Sequence, residues 1–84
     1  MKNSAILNLL ERLLRRRHIP DLHSFKAKIK NGVVFVDAQW DGFHIDFITY
    51  DGAGNETRES WVGSAFLAAR ELESRGLDLT SVET

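Results

Sequence analysis

Two aspartates in the middle of the chain would support acid/base or metal chemistry if the fold brought them together. Asp37 and Asp46 lie on consecutive predicted strands and face each other in the expected pairing, with Gln39 and His44 one pair away. Opposed carboxylates repel, which raises the pKa of one of them, and a nearby imidazole adds a metal ligand or a proton acceptor. However, Lys26 is placed to neutralise Asp37, and nothing would keep water from the pair. We therefore expect a solvated pair and predict no catalytic residue, no metal ion and no cofactor.

Cations are concentrated at the start of the chain. Residues 1–32 carry eight Lys and Arg against two carboxylates, whereas residues 33–84 carry three against ten. Basic clusters contact phosphates, and aromatic side chains between them stack bases. Nucleic-acid binding is therefore the alternative function, through Arg12, Arg15, Arg16, Arg17, Lys26, Lys28 and Lys30. The net charge of −1 favours the simpler interpretation, in which the arginines keep a helix end soluble and compensate its dipole.

Three further motifs are weaker. The glycine-rich segment 52–55 precedes a predicted helix like a phosphate-binding loop, but it has no lysine, so we expect a flexible turn. Ser60 and Ser64 have no histidine and aspartate in a recognisable context and are interpreted as small helix residues. A minimal nuclease that uses His23 or His44 is the third functional hypothesis.

Composition limits the class of protein. The 84 residues leave room for one domain with one core, and hydrophobic residues make up 43%. The chain has no cysteine, which excludes a disulfide scaffold and a thiolate zinc site. No apolar run approaches the roughly 18 residues of a membrane span, and the first segment is broken by Asn8, Glu11 and Arg12, unlike a secretory signal. We expect a cytoplasmic protein that contacts no membrane.

The first predicted element of secondary structure is a helix. Apolar residues recur there at spacings of three and four, namely Ile6, Leu9, Leu10, Leu13 and Leu14. Asn3 or Ser4 is expected to cap its start. Pro20 disfavours helical geometry at the residue before it, so we expect the helix to end near His18.

Alternating apolar and polar residues then predict three strands joined by tight turns. The strands are 25–30, 33–40 and 43–50, and Asn31-Gly32 and Asp41-Gly42 favour two-residue reversals. The reversals set the pairing, and the alternation collects one apolar face: Phe25, Ala27, Ile29, Val34, Val36, Ala38, Trp40, Phe43, Ile45 and Phe47. This face is the predicted core side of the sheet.

A second helix is predicted to begin between Asn55 and Ser60 and to end at Gly76, a left-handed cap. Its apolar side is Trp61, Val62, Ala65, Phe66, Ala69 and Leu72. Leu77 and Leu79 are expected to pack back onto the domain. The predicted architecture is thus an α+β fold of order α-β-β-β-α, a three-stranded antiparallel meander with both helices on one face. It forms a single domain of residues 1–79, followed by a frayed C-terminal tail at 80–84.

The opposite face of the sheet has no predicted cover. Four apolar side chains are neighbours at one end of it, beside the aliphatic stems of two lysines, and exposed apolar patches with aromatic members are typical of interfaces. The predicted partner-binding residues are Val33, Phe35, Ile48, Tyr50, Lys28 and Lys30. A homodimer is the simplest form, since two-fold pairing needs only one such patch. The alternative is a partly solvated surface whose apolar side chains are covered by the aliphatic parts of the lysine side chains.

The order of elements resembles the double-stranded-RNA-binding domain, and the HicA-type toxins that share its arrangement, over residues 4–76. Gly52 and Gly54 match the two spaced glycines of the family's third region, and the alanines of 65–69 suit its close-packed helix. At the positions of the family's lysine cluster stand Thr57, Arg58 and Trp61. The resemblance therefore implies the fold and transfers no functional residue.

Together these features predict a small non-enzymatic interaction protein. It binds a protein partner, either another protein or a second copy of itself, through the uncovered face of its sheet. Short domains without catalytic motifs resemble products of phages and mobile elements, including inhibitors of host proteins.

Overall fold

The computed structural model describes residues 2–20 and 22–83, which form two helices and a five-stranded antiparallel sheet. The elements are α1 (Lys2–Arg15), β1 (Ser24–Ile29), β2 (Gly32–Gln39), β3 (Gly42–Tyr50), β4 (Glu56–Gly63), α2 (Ala65–Ser74) and β5 (Asp78–Glu83). The strand order across the sheet is β4-β3-β2-β1-β5. The α+β class is confirmed, but the predicted meander of β1 to β3 is only the middle of a larger sheet. Neither helix of the described residues is long and apolar enough to cross a bilayer.

One core lies between the two helices and one face of the sheet. It joins the apolar sides of α1 and α2 to the inner side chains of β1, β2 and β3. From α1 it takes four residues of the predicted stripe, and the fifth, Leu14, is partly buried against it; the four are Ile6, Leu9, Leu10 and Leu13. This helix ends at Arg15 rather than near His18, and the chain continues in tight turns. There the N–H of Arg16 donates to the carbonyl of Leu13, and that of Ile19 to Arg16, both at 2.9 Å.

The two central hairpins have a register that differs from the prediction. The reversals lie at Lys30-Asn31 and Trp40-Asp41, one residue ahead of each predicted turn, so every strand residue faces a partner two positions from the expected one. A slip of one residue would turn each side chain to the other face, whereas a slip of two does not. The predicted core face is therefore buried, except for Trp40, which lies in a turn and is 74% exposed.

Two glycines explain the shift, because each lies where a neighbouring strand comes too close for a side chain. A Cβ on Gly32 would lie 1.9 Å from the carbonyl oxygen of Ile48, and one on Gly42 would lie 2.7 Å from that of Gly63. The left-handed φ of 62° in the first turn falls on Asn31 instead, a residue type that tolerates it better than most. Both glycines are therefore strand residues rather than central turn residues.

The largest difference from the prediction is at residues 56–63, where a strand replaces the start of the second helix. This strand, β4, pairs with the whole length of β3. Trp61 and Val62, predicted on the apolar side of the helix, are therefore strand residues. The Trp61 ring packs against the core and lies over Gly63, where a Cβ would come within 2.3 Å of the indole. Gly63 is thus the residue that makes room for the ring.

Helix α2 is shorter than predicted at its start and ends where the sequence indicates. Its buried residues are Ala68, Ala69 and Leu72, whereas Phe66, predicted on the apolar side, is 59% exposed. Gly76 has a φ of 76°. The N–H groups of Gly76 and Leu77 donate to the carbonyls of Glu73 and Leu72, each at 3.0 Å. This is a Schellman motif, which satisfies the last carbonyls of the helix.

The chain after Gly76 forms a strand where the sequence predicts a frayed tail. Residues 78–83 make β5, which pairs antiparallel with β1, and Thr84 lies outside the described residues. A bulge interrupts this pairing, and there the N–H of Lys28 donates to the hydroxyl oxygen of Ser81 at 2.7 Å. Leu77 is buried and Leu79 packs against the core, as expected. The edges of the sheet are therefore β4 and β5.

Candidate functional site

The face of the sheet turned away from both helices, here called the outer face, is covered by no element in the part of the chain that the structure describes. Its side chains stand in rows across the strands. One row contains Arg58, Ile48, Val33 and Lys28. The next contains Ser60, Asp46, Phe35, Lys26 and Glu83. A third contains Val62, His44, Asp37 and Ser24.

The four apolar residues predicted for partner contact are neighbours on this face. Val33 and Ile48 are directly paired, and Phe35 and Tyr50 lie on opposite sides of this pair along the strands, each diagonal to one of its members. Phe35 is 41% exposed and Tyr50 47%, whereas Ile48 is only 8% exposed although it lies outside the core cluster. These four residues, here called the outer apolar group, thus form a small second cluster with two aromatic rings open to solvent.

Charged residues flank the outer apolar group on both sides. On one side stand Arg58 and Asp46, and the hydroxyl of Ser60 donates to the carboxylate of Asp46 at 2.8 Å. On the other side the ammonium nitrogen of Lys26 lies 5.7 Å from the centre of the Phe35 ring, within cation–π range. The face therefore has an apolar centre and a polar border, the usual organisation of a protein interface.

Lys26 and Lys28 lie on the outer face as predicted, but Lys30 does not. Lys30 is in the first turn, where its N–H donates to the carbonyl of Arg75 at 2.9 Å. A Cβ on Gly76 would lie 3.3 Å from the Cβ of Lys30. Because the reversal begins one residue earlier than expected, Lys30 is placed beside the end of α2, away from the outer apolar group.

The predicted pair of opposed carboxylates is wrong. In the observed register Asp37 faces His44, and Asp46 faces Phe35. Asp37 instead bonds to Nδ1 of His23 at 2.6 Å and accepts a second hydrogen bond from the side-chain amide of Gln39. The carboxylate thus fastens the segment between α1 and β1 to strand β2.

The two histidines of the nuclease hypothesis contact two different carboxylates. His23 contacts Asp37, while Nε2 of His44 lies 2.9 Å from Asp41 and lowers the pKa of that carboxyl through the hydrogen bond. A hollow of about 440 Å³ on the outer face is lined by Asp37, His44 and Asp46 among others. Within residues 2–20 and 22–83, no three histidine or carboxylate side chains are arranged to hold a metal ion.

The seven cations predicted for nucleic-acid binding do not share one surface. Lys26 and Lys28 are on the outer face, Lys30 is beside α2, and the arginines lie on and after the last turn of α1. Near the arginines the structure places Trp40, whose ring centre is 4.3 Å from the guanidinium carbon of Arg17. The alternation of apolar and polar residues by itself predicts Trp40 in the core. Its position directly before Asp41-Gly42 was the signal that it could belong to a turn.

Comparisons of the chain with protein-family models, with curated proteins and with solved structures find no match. Function is therefore inferred from the geometry of the outer face and of the arginines that end in the Arg17–Trp40 contact.

Proposed function

We propose that this chain is a non-enzymatic protein-binding module whose outer face receives a second copy of the same chain. The observation that carries the proposal is the outer apolar group, in which Phe35 in the middle of β2 and Tyr50 at the end of β3 remain exposed on an uncovered sheet. Exposed contiguous apolar groups of this kind mark interaction sites on small proteins.

The size of the face fits a partner of the same size. Five strands spaced about 4.8 Å apart, six to nine residues long at roughly 3.3 Å per residue, span roughly 24 Å across the sheet and about 20 to 30 Å along it. That planar area, on the order of 600 Å², approaches the roughly 800 Å² per partner of a standard interface. A second copy packed sheet against sheet would cover the face without a further element.

The order of charges along the strands also suits a two-fold arrangement. The cations Arg58 and Lys28 flank the Ile48–Val33 row, and the carboxylates of Asp46 and Asp37 occupy the two rows beyond it. Suppose that the two-fold axis lies in the plane of the face and runs across the strands. The strands of the partner then run in the opposite direction. The row of Arg58 and Lys28 in one copy then faces the row of Asp46, Lys26 and Glu83 in the other, and the two facing rows carry net charges of opposite sign.

Sedimentation velocity of the Phe35→Lys variant tests the proposal. We expect the wild type to sediment as a dimer that dissociates on dilution, and Phe35→Lys to sediment as a monomer with an unchanged circular dichroism spectrum. The lysine would remove the apolar ring and place an ammonium group, opposite Asp46 in the pairing, where the apolar contact between the copies is expected.

Leu67→Lys is the matched control, because Leu67 is an exposed apolar residue on the helix layer, 50% accessible to solvent. It should leave the dimer intact. A wild type that stays monomeric at millimolar concentration, or a dimer lost in Leu67→Lys and kept in Phe35→Lys, would contradict the proposal.

A further inference from the structure

The arginines at the end of α1 carry charge that no ion pair among residues 2–20 and 22–83 neutralises. Arg12, Arg15 and Arg16 are exposed and Arg17 is partly exposed. None of the four forms an ion pair with any side chain of the described residues, whereas Arg58 and Arg75 both bind carboxylates. Arg12 and Arg15 are three residues apart in α1 and therefore lie on one side of the helix, about 4.5 Å apart along its axis, and Arg16 and Arg17 follow directly in the turn.

Beside this cluster stands a large exposed ring. Trp40 is the most exposed large hydrophobic residue among those described, at 74%, although isolated tryptophans are usually well covered. Arg17 stacks on it at 4.3 Å from the ring centre, a cation–π contact. Since a ring has two faces and most of this one is accessible, the stacked arginine leaves the other face open to solvent.

Guanidinium groups and an open indole are complementary to a single-stranded nucleic acid. Guanidiniums bind phosphate oxygens, and an aromatic face stacks an unpaired base whatever its identity. A base inside a duplex is already stacked on both sides and offers no face to the indole. We infer that Arg12, Arg15, Arg16 and Arg17 with Trp40 form a binding site for single-stranded nucleic acid, with phosphates on the arginines and a base on Trp40.

The site is separate from the proposed dimer interface. Its residues lie on α1, the following turn and the β2–β3 turn, whereas the outer apolar group lies on β2 and β3 themselves. The lysines Lys26 and Lys28 belong to the outer face and are not part of the site. Loss of the dimer in Phe35→Lys should therefore leave nucleic-acid binding by each chain in place, which keeps the two proposals distinguishable.

Fluorescence anisotropy with end-labelled ten-nucleotide oligo-dT tests the site in the 84-residue chain. We expect binding at 50 mM salt, with the logarithm of the affinity falling against the logarithm of salt concentration with a slope of about −2 to −3 for three or four phosphate contacts on a single strand. Trp40→Ala should weaken binding roughly tenfold and leave the slope unchanged. The triple variant Arg15→Ala, Arg16→Ala, Arg17→Ala should weaken binding more and flatten the slope.

Two exposed residues of α2 provide matched controls. Phe66→Ala removes an aromatic ring that is 59% exposed, and Arg70→Ala removes an exposed cation. Neither should change the affinity. All variants alter exposed or partly exposed side chains, and equal unfolding midpoints would show that the fold is kept.

Three results would overturn the inference. The first is absence of oligo-dT binding by the wild type at 50 mM salt. The second is equal affinity for a duplex of the same length together with no effect of Trp40→Ala, which would indicate electrostatic adsorption only. The third is equal or tighter binding of a polyglutamate peptide, which would indicate that the arginines receive an acidic protein segment.

Discussion

At the scale of single residues, Arg75 connects more parts of the core layer than any other charged group described above. Its Nε donates to Glu71 at 2.9 Å, its terminal nitrogen donates to Glu59 on β4, and its guanidinium carbon lies 4.2 Å from the centre of the Phe47 ring. Partial burial works against the charged form, but the hydrogen bonds to Glu71 and Glu59 outweigh it and raise the pKa of Arg75. The residue thus ties the end of α2 to β3 and β4.

Arg75→Met is expected to lower the free energy of unfolding by about 2 kcal/mol, because it removes two charge-assisted hydrogen bonds and one ring contact. Urea unfolding followed by tryptophan fluorescence measures the loss. Arg58→Met is the control, since Arg58 is an exposed arginine whose one ion pair among the described residues is with Glu56. Its urea midpoint should match that of the wild type. Equal losses in both variants would show that the Arg75 contacts stabilise the fold no more than an exposed ion pair does.

Asp51 closes the turn between β3 and β4. Its carboxylate accepts hydrogen bonds from the N–H groups of Ala53 and Asn55, each at 2.9 Å, and from the side-chain amide of Asn55 at 3.1 Å. The bonds from Asn55 and Ala53 lower the pKa of Asp51 below its ordinary value of 3.8. A lowered pKa in the folded state means that the stabilisation is complete above the unfolded value and is lost as the pH falls through the folded one.

Asp51→Asn should therefore flatten the dependence of stability on pH at the acid end. Asparagine keeps an oxygen acceptor for the two backbone N–H groups but does not titrate. Between pH 5 and pH 2, the urea midpoint of the variant should fall less than that of the wild type. Parallel curves for the two proteins would mean that the Asp51 carboxylate contributes nothing to the turn.

At the scale of elements, Gly32 holds β2 against β3. A Cβ at this position would lie 1.9 Å from the carbonyl oxygen of Ile48, a backbone atom that cannot move without breaking the pairing. Gly32→Ala is expected to cost about 3 kcal/mol in the free energy of unfolding, at the upper end of overpacking effects. Gly52→Ala is the control, because a Cβ there meets nothing within 4 Å. A Gly32→Ala variant as stable as Gly52→Ala would show that the observed register is wrong.

The sequence indicates the faces of the central strands better than their register. The alternation of apolar and polar residues decides which side chains are buried, and a slip of two positions leaves that choice unchanged. The asparagine–glycine and aspartate–glycine pairs were assigned to turns by their φ preferences. In the fold Gly32 and Gly42 also have to admit a neighbouring backbone, and that requirement appears only once the strands are packed.

The two edge strands were missed for a different reason. Residues 56–60 of β4 are exposed on both faces, so their polarity has no period that distinguishes a strand from the start of a helix. The strand β5 follows a helix cap that the sequence did indicate at Gly76, but its pairing depends on β1, far away in sequence. Pairing at an edge is a tertiary contact, and local propensity does not record it.

At the scale of the whole molecule, the candidate sites show the same difference between features that alternation decides and features that depend on the exact register. The placement of Val33, Phe35, Ile48 and Tyr50 on one face follows from alternation and is predictable, but the shift in register moves Phe35 and Tyr50 to opposite sides of the Val33–Ile48 pair. The pairing of Asp37 with Asp46 and the position of Lys30 depend on the exact register and are not predictable. Trp40 was assigned to the core by the same alternation that placed its neighbours correctly, because the turn begins at that residue.

The central claim is that the outer faces of two copies pack together. An isotope-filtered nuclear Overhauser experiment on an equal mixture of labelled and unlabelled wild type tests it most directly, because it detects contacts between copies only. We expect cross-peaks from the Phe35 ring of one copy to the methyl groups of Val33 and Ile48 of the other. Cross-peaks confined to residues of α1 or α2, or none at a concentration of 1 mM, would contradict it.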